Sequence, residues 1–229
     1  MAARLHALVV RSTAPEAAAR FWADLLGRER DGTWVPPGDS PLGLRFEATD
    51  APRQGPNPFH VHLTSNDRTQ AETVERALAL GAIHLDVGQL PDEPHVVLAD
   101  PGGDELCVIP EGNRWLAGTG FLGELAADGT RDLGVFWSRA LGWPLVHDED
   151  GETAISPPGG GFTIAWGGEP LNAKHRPDRT YLELEVDDLD ADVEDLVALG
   201  ASVVRRRAGE VQLADPDGNE VRVRVGGQA

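Results

Sequence analysis

The residues best equipped for chemistry sit on short alternating segments. In 59–64 the two-residue period of a strand puts His60, His62 and Thr64 on one face, with Val61 and Leu63 on the other. Imidazoles titrate near neutral pH and ligate metals, so two on one face suit either proton transfer or metal binding. In 181–186 the polar set is Tyr181, Glu183 and Glu185, and in 220–225 it is Glu220, Arg222 and Arg224. The plainer reading of these charges is mutual neutralisation across strands. In the functional one, Arg222 or Arg224 holds a carboxylate or enolate while Trp166 and Tyr181 stack on a ring. Cys107 is the sole cysteine, which excludes an internal disulfide framework and the usual zinc finger. Dinucleotide, P-loop, GxSxG and HExxH signatures are missing, so nucleotide binding, phosphoryl transfer, triad hydrolysis and zincin chemistry lack support.

A repeat positions these residues. FWADLLG at 21–27 returns as FWSRALG at 136–142, and DPGGDELCV at 100–108 returns at the same offset as DPDGNEVRV at 215–223. Between them LALGA at 78–82 returns as VALGA at 197–201, at a slightly longer offset. Three blocks in one order imply two homologous halves, with domains expected at 1–111 and 120–229 and a glycine-rich linker at 112–119. In the first half a strand is expected at 5–10. A helix then follows Pro15, carries Phe21, Trp22, Leu25 and Leu26 at helical spacing and stops at Gly27. Strands are expected at 28–30, 33–35 and 42–49. The pattern repeats with a strand at 59–64, a helix at 68–80, and strands near 83–87, 95–99 and 105–109. That is βαβββ twice per half, an α+β fold of four modules whose helices cover the apolar sheet faces and leave the polar faces as cups.

Composition narrows the partners. Twenty basic residues against 38 acidic ones give a net charge of -18, which repels nucleic acid and anionic membranes at long range. The densest acidic stretch, 186–200, alternates acids with a helical apolar stripe and reads as a solvated helix face. The opening MAARLHALVV runs into a strand pattern without the layout of a signal peptide, and the chain has no apolar stretch of membrane-spanning length. A cytoplasmic protein is expected, monomeric or homodimeric, with a small molecule as partner and neither nucleic acid nor membrane.

FWADLLG, FHVHLTS, LALGA and DPGGDELCV, with their second-half counterparts and the strand followed by VDDLDA, resemble the vicinal oxygen chelate superfamily. This is the group of glyoxalases, bleomycin-resistance proteins and extradiol dioxygenases. The resemblance implies paired βαβββ modules closing into glyoxalase-like cups around a divalent metal or a small organic ligand. It also implies ligands on the first and last strands of the modules. In the first half these positions fall on His6, Glu47 and His60, with Cys107 where the family usually has glutamate. Such a set suits a single zinc, nickel, iron or manganese ion in the first domain. His62 or Glu105 would then move the proton, His62 being also an alternative ligand. Otherwise His6 and His60 are polar cup residues, Glu47 pairs with Arg45 or Arg53, and Cys107 is a small buried hydrophobe. The second half offers Phe121, Tyr181 and Arg222 at the same places, so one metal per chain is expected.

Three functions remain open at this stage. One is a glyoxalase-like lyase or isomerase acting on a small oxygenated molecule. Another is a metal-free cup for drug or natural-product sequestration, with Trp34, Trp166 and Tyr181 as flat surfaces. The last is a regulatory or partner-binding module.

Overall fold

The computed structural model describes residues 3–90 and 92–227. The first module comprises β1 (Arg4–Ser12), α1 (Pro15–Leu26), β2 (Trp34–Val35) and β3 (Gly43–Ala48). The second has β4 (Phe59–Leu63), α2 (Gln70–Ala79), β5 (Ile83–His84), β6 (Val96–Ala99) and β7 (Glu105–Val108). The third has β8 (Leu122–Ala127), α3 (Arg131–Leu141), β9 (Leu145–Glu149), β10 (Glu152–Ile155) and β11 (Thr163–Trp166). The fourth has β12 (Thr180–Val186), α4 (Leu189–Leu199), β13 (Ser202–Arg207), β14 (Glu210–Ala214) and β15 (Glu220–Val225). This is the α+β architecture the repeat predicts. No helix among the described residues is long and apolar enough to cross a membrane.

Local chemistry explains the helix ends. Pro15 occupies the first turn of α1, where its missing N–H costs nothing, and Gly27 closes the helix at φ 68, a conformation open to glycine. A capping box starts α2, with Thr69 accepting from the Glu72 backbone while the Glu72 carboxylate accepts from the Thr69 backbone. Thr130 caps α3 by accepting from the Leu133 N–H, and Asp188 caps α4 by accepting from the Asp190 and Ala191 N–H groups. The strand expected at 28–30 does not form. Arg28 donates to the Leu42 carbonyl at 3.1 Å and pairs with Asp39 at 2.9 Å, which folds that segment into a loop with one bridge between Asp31 and Trp34.

Two sheets result, and each joins modules from both halves. The seven-stranded sheet runs β13-β14-β15-β12-β1-β3-β2, and the eight-stranded sheet runs β5-β6-β7-β4-β8-β11-β10-β9. The first module therefore closes a cup with the fourth, and the second with the third. The seams are β1 against β12, with Val9 opposite Tyr181, and β4 against β8, with His62 opposite Glu124. Thr180 Oγ1 ties the sheets together, accepting from the Phe59 N–H and donating to the Phe59 carbonyl, both at 3.0 Å. One continuous apolar core then runs under both sheets, including Phe21, Trp22 and Leu25 of α1 and Phe136, Trp137 and Leu141 of α3.

The fit of α3 on its sheet is close enough to test. A Cβ added at Gly134 would lie 2.0 Å from Thr153 Oγ1 and 3.1 Å from the Trp166 ring. Alanine gains about 1 kcal/mol over glycine in a helix interior, whereas overpacking a filled core costs about 1–3 kcal/mol. Gly134→Ala should therefore lower the unfolding free energy in urea by up to about 2 kcal/mol. Gly159→Ala, whose Cβ meets nothing within 4 Å, should leave it unchanged. A stabilised Gly134→Ala variant would show that α3 stands off the sheet.

Candidate metal centre

The eight-stranded cup is built around β4. Its alternation buries Phe59, Val61 and Leu63 in the core and turns His60 and His62 into the cup. In register, His62 lies between Cys107 of β7 and Glu124 of β8. The ligand atoms of His60, His62 and Cys107 all lie within 4.8 Å of one another. His60 Nε2 is 3.0 Å from His62 Nε2, and His62 Nδ1 is 2.8 Å from Glu124 Oε1. The second Glu124 oxygen accepts from the Trp115 indole N–H at 2.5 Å. Trp115, in the segment between β7 and β8, sets its ring edgewise against His147 of β9. The cup opens into a cavity of about 420 Å³ lined by His60, His95, Glu105 and Cys107.

Electrostatics divides the two imidazoles. Burial, then the neighbouring His62 and His95, push His60 down to about 3. Burial opposes the His62 cation too, but hydrogen bonds to Cys107 and Glu124 outweigh it and hold the ring up to about 9. When both ring nitrogens of His62 carry protons, Nδ1–H donates to Glu124 and Nε2–H donates to His60 Nε2. Burial raises Glu105 above the ordinary range, although its carboxylate accepts from the Asn57 backbone N–H and from Arg53 at 3.2 Å.

A metal fits this donor set. Two imidazoles and a thiolate are a common zinc combination, and nitrogens at tetrahedral positions around an ion stand roughly 3.3 Å apart, close to the observed His60–His62 spacing. The Glu124 contact to the far ring nitrogen is the outer support such ligands usually have. A protonated His62 must release its Nε2 proton for an ion to bind here.

The expected set of His6, Glu47 and His60 is not brought together. His6 and Glu47 belong to the seven-stranded sheet and His60 to the other, because the cups close between halves and not within them. His6 stacks on Trp34 at 4.8 Å and sits 3.3 Å from Glu185. Glu47 accepts from Arg222 at 2.7 Å and from the Tyr181 hydroxyl at 2.9 Å. Trp34 has His6 on one face and the Arg45 guanidinium 4.5 Å from its ring. Arg11 and Arg222 lie 4.5 and 5.1 Å from the Tyr181 ring. Trp166 is corrected outright, since it is buried in the core beneath α3 and Ala165 takes the cup-facing place on β11. Glu124, Trp115 and His95 were missed in the sequence. Nothing in FLGELAA marks Glu124 until the β4–β8 register sets it beside His62.

A sequence model of the glyoxalase-like domain matches residues 7–109 and again 124–224. Among solved structures, glyoxalase I from Zea mays superposes with a TM-score of 0.70 at 14% identity, over 98% of this chain and 92% of that one. A putative dioxygenase from Bacillus subtilis subsp. subtilis str. 168 superposes with a TM-score of 0.62 at 14% identity, over 99% of this chain and 86% of that one. Identities this low speak for the fold alone. No curated protein sequence matches at a significant level.

The asymmetry of the imidazoles is measurable in metal-free protein by NMR titration. His62 should keep its second proton up to pH about 9, and His60 should stay neutral down to about 3. Since the His62 value lies above the ordinary 6.5, its contribution to stability is full below that pH and is lost as pH rises through about 9. Glu124→Gln should bring His62 back toward 6.5. Two rings titrating together near 6.5 would contradict the arrangement.

Proposed function

Because the chain belongs to the glyoxalase-like domain family, we propose that it is a lyase- or isomerase-type enzyme acting on a small oxygenated organic molecule. Its site in this reading is the cup of the second and third modules, with one divalent metal held by His60, His62 and Cys107. The observation that carries the reading is the convergence of those three ligand atoms, two of whose residues, His60 and Cys107, line a cavity of about 420 Å³, a volume suited to a small ligand.

The donor chemistry narrows the ion. Thiolate with imidazole favours zinc over manganese, which prefers oxygen ligands. When bound, the ion supplies Lewis acidity toward neighbouring substrate oxygens and so stabilises enolate-like charge. The remaining work falls to the chain's own residues. Glu124 fixes the His62 ring through Nδ1, and Trp115 in turn fixes Glu124. Glu105 lines the same cavity as His60 and Cys107, and its burial-raised pKa suits a group that takes up and returns a proton. His62 is assigned to the metal, which leaves the proton to Glu105. The metal-free sequestering alternative has lost its flat surfaces, since Trp166 is in the core and protein cations cover Trp34 and Tyr181.

Elemental analysis of protein purified without a metal-affinity tag tests this directly. One equivalent per chain is expected, falling to trace in His60→Ala and in Cys107→Ala and persisting in Glu47→Ala. Two equivalents, an equivalent that survives both cup changes, or one lost with Glu47→Ala would overturn the assignment.

A further inference from the structure

We propose that the seven-stranded cup carries a second, independent site, which takes a small oxyanion bearing two negative charges. A cavity of about 260 Å³ opens between the seam strands and the β13–β14 hairpin. Four arginines line it, Arg11, Arg205, Arg207 and Arg222, against two carboxylates, Glu47 and Glu210. Its lining side chains therefore carry four positive charges against two negative ones, in a chain whose overall charge is -18. The field of the whole molecule repels anions, so any anion that binds must be held by this pocket itself.

The four arginines are not equivalent. The inner pair is already engaged. Arg11 pairs with Glu220 at 2.7 Å, and Arg222 pairs with Glu47 at 2.7 Å and Glu183 at 3.1 Å. The outer pair is not. Arg207 reaches Glu210 only loosely at 3.7 Å, and Arg205 has no carboxylate partner among the described residues. Strand alternation separates them from Arg206, which turns to the helix side and pairs with Asp190 at 2.8 Å. Arg205 and Arg207 stand opposite Gln212 and Glu210, the cavity-facing residues of β14.

Two residues apart on one strand face, their Cα atoms are about 7 Å from each other. Each guanidinium presents a fork of donors that matches a carboxylate or phosphate oxygen pair. A dianion satisfies both forks, whereas a monoanion leaves one unmatched. A dicarboxylate and a phosphate monoester share this chemistry. Charge on β13 also protects an exposed sheet edge, but edge protection does not require two arginines to face a cavity.

The test is isothermal titration of the full chain with succinate, inorganic phosphate and acetate at fixed ionic strength. One saturable equivalent is expected for succinate or phosphate, and whichever binds identifies the source. Affinity should be about tenfold weaker for acetate and for the Arg205→Ala, Arg207→Ala double variant. The paired lysine variant should fall between, having charge without the fork. Arg206→Ala, on the opposite face, should bind as the parent does, and so should His60→Ala, which separates this site from the histidine cup whatever the fate of the metal. Non-saturable heat, equal affinity in the double variant, or equal loss in Arg206→Ala would overturn the proposal and leave the arginines as edge protection.

Discussion

The antiparallel seam between β4 and β8 governs what the rest of the molecule can do. It sets His62 opposite Glu124 while β7 brings Cys107 to the other side of the same ring. A slip of one residue along this seam would turn both histidines into the core and leave two buried imidazoles without partners. The seam also decides which modules share a cup. Once β8 lies beside β4, the first and fourth modules are left to pair through β1 and β12.

The two cups answer the problem of buried polar groups differently. In the seven-stranded cup Glu183 is almost fully enclosed, with Arg45, Arg222 and Arg224 between 3.1 and 3.4 Å from its carboxylate. Such a network offsets its own desolvation only because each charge has several partners, and removing one would leave another uncompensated. The cup is thus largely filled by its own side chains, with a cavity at the β13–β14 end. The eight-stranded cup instead keeps His60, His95, Glu105 and the Cys107 thiol around open space. One cup of the duplicated fold has its polar face closed by ion pairs, and the other keeps it available for chemistry.

Much of this was legible in the sequence, within limits set by what each signal measures. The repeated FW motifs located α1 and α3 because apolar residues at helical spacing must face a core, and Gly27 marked the end of α1. The start of α2 was read at 68 and lies at Gln70, where the Thr69–Glu72 capping box places it. His60 and His62 were correctly put on one face, because alternation within a single strand is a local property. Which modules pair is not local. All four carry the same alternation, so periodicity predicts four cup walls and cannot say that His6 and His60 end in different cups. Trp166 shows the cost of one residue of register, since Ala165 rather than Trp166 faces the cup.

The central claim is that one ion sits between the imidazoles of β4 and the thiol of β7. X-ray absorption at the zinc edge on zinc-loaded protein measures this most directly. The account predicts one sulfur neighbour at about 2.3 Å and imidazole nitrogens at about 2.0–2.1 Å, with the sulfur shell lost in Cys107→Ser. A spectrum with nitrogen and oxygen neighbours alone, unchanged by Cys107→Ser, would contradict it.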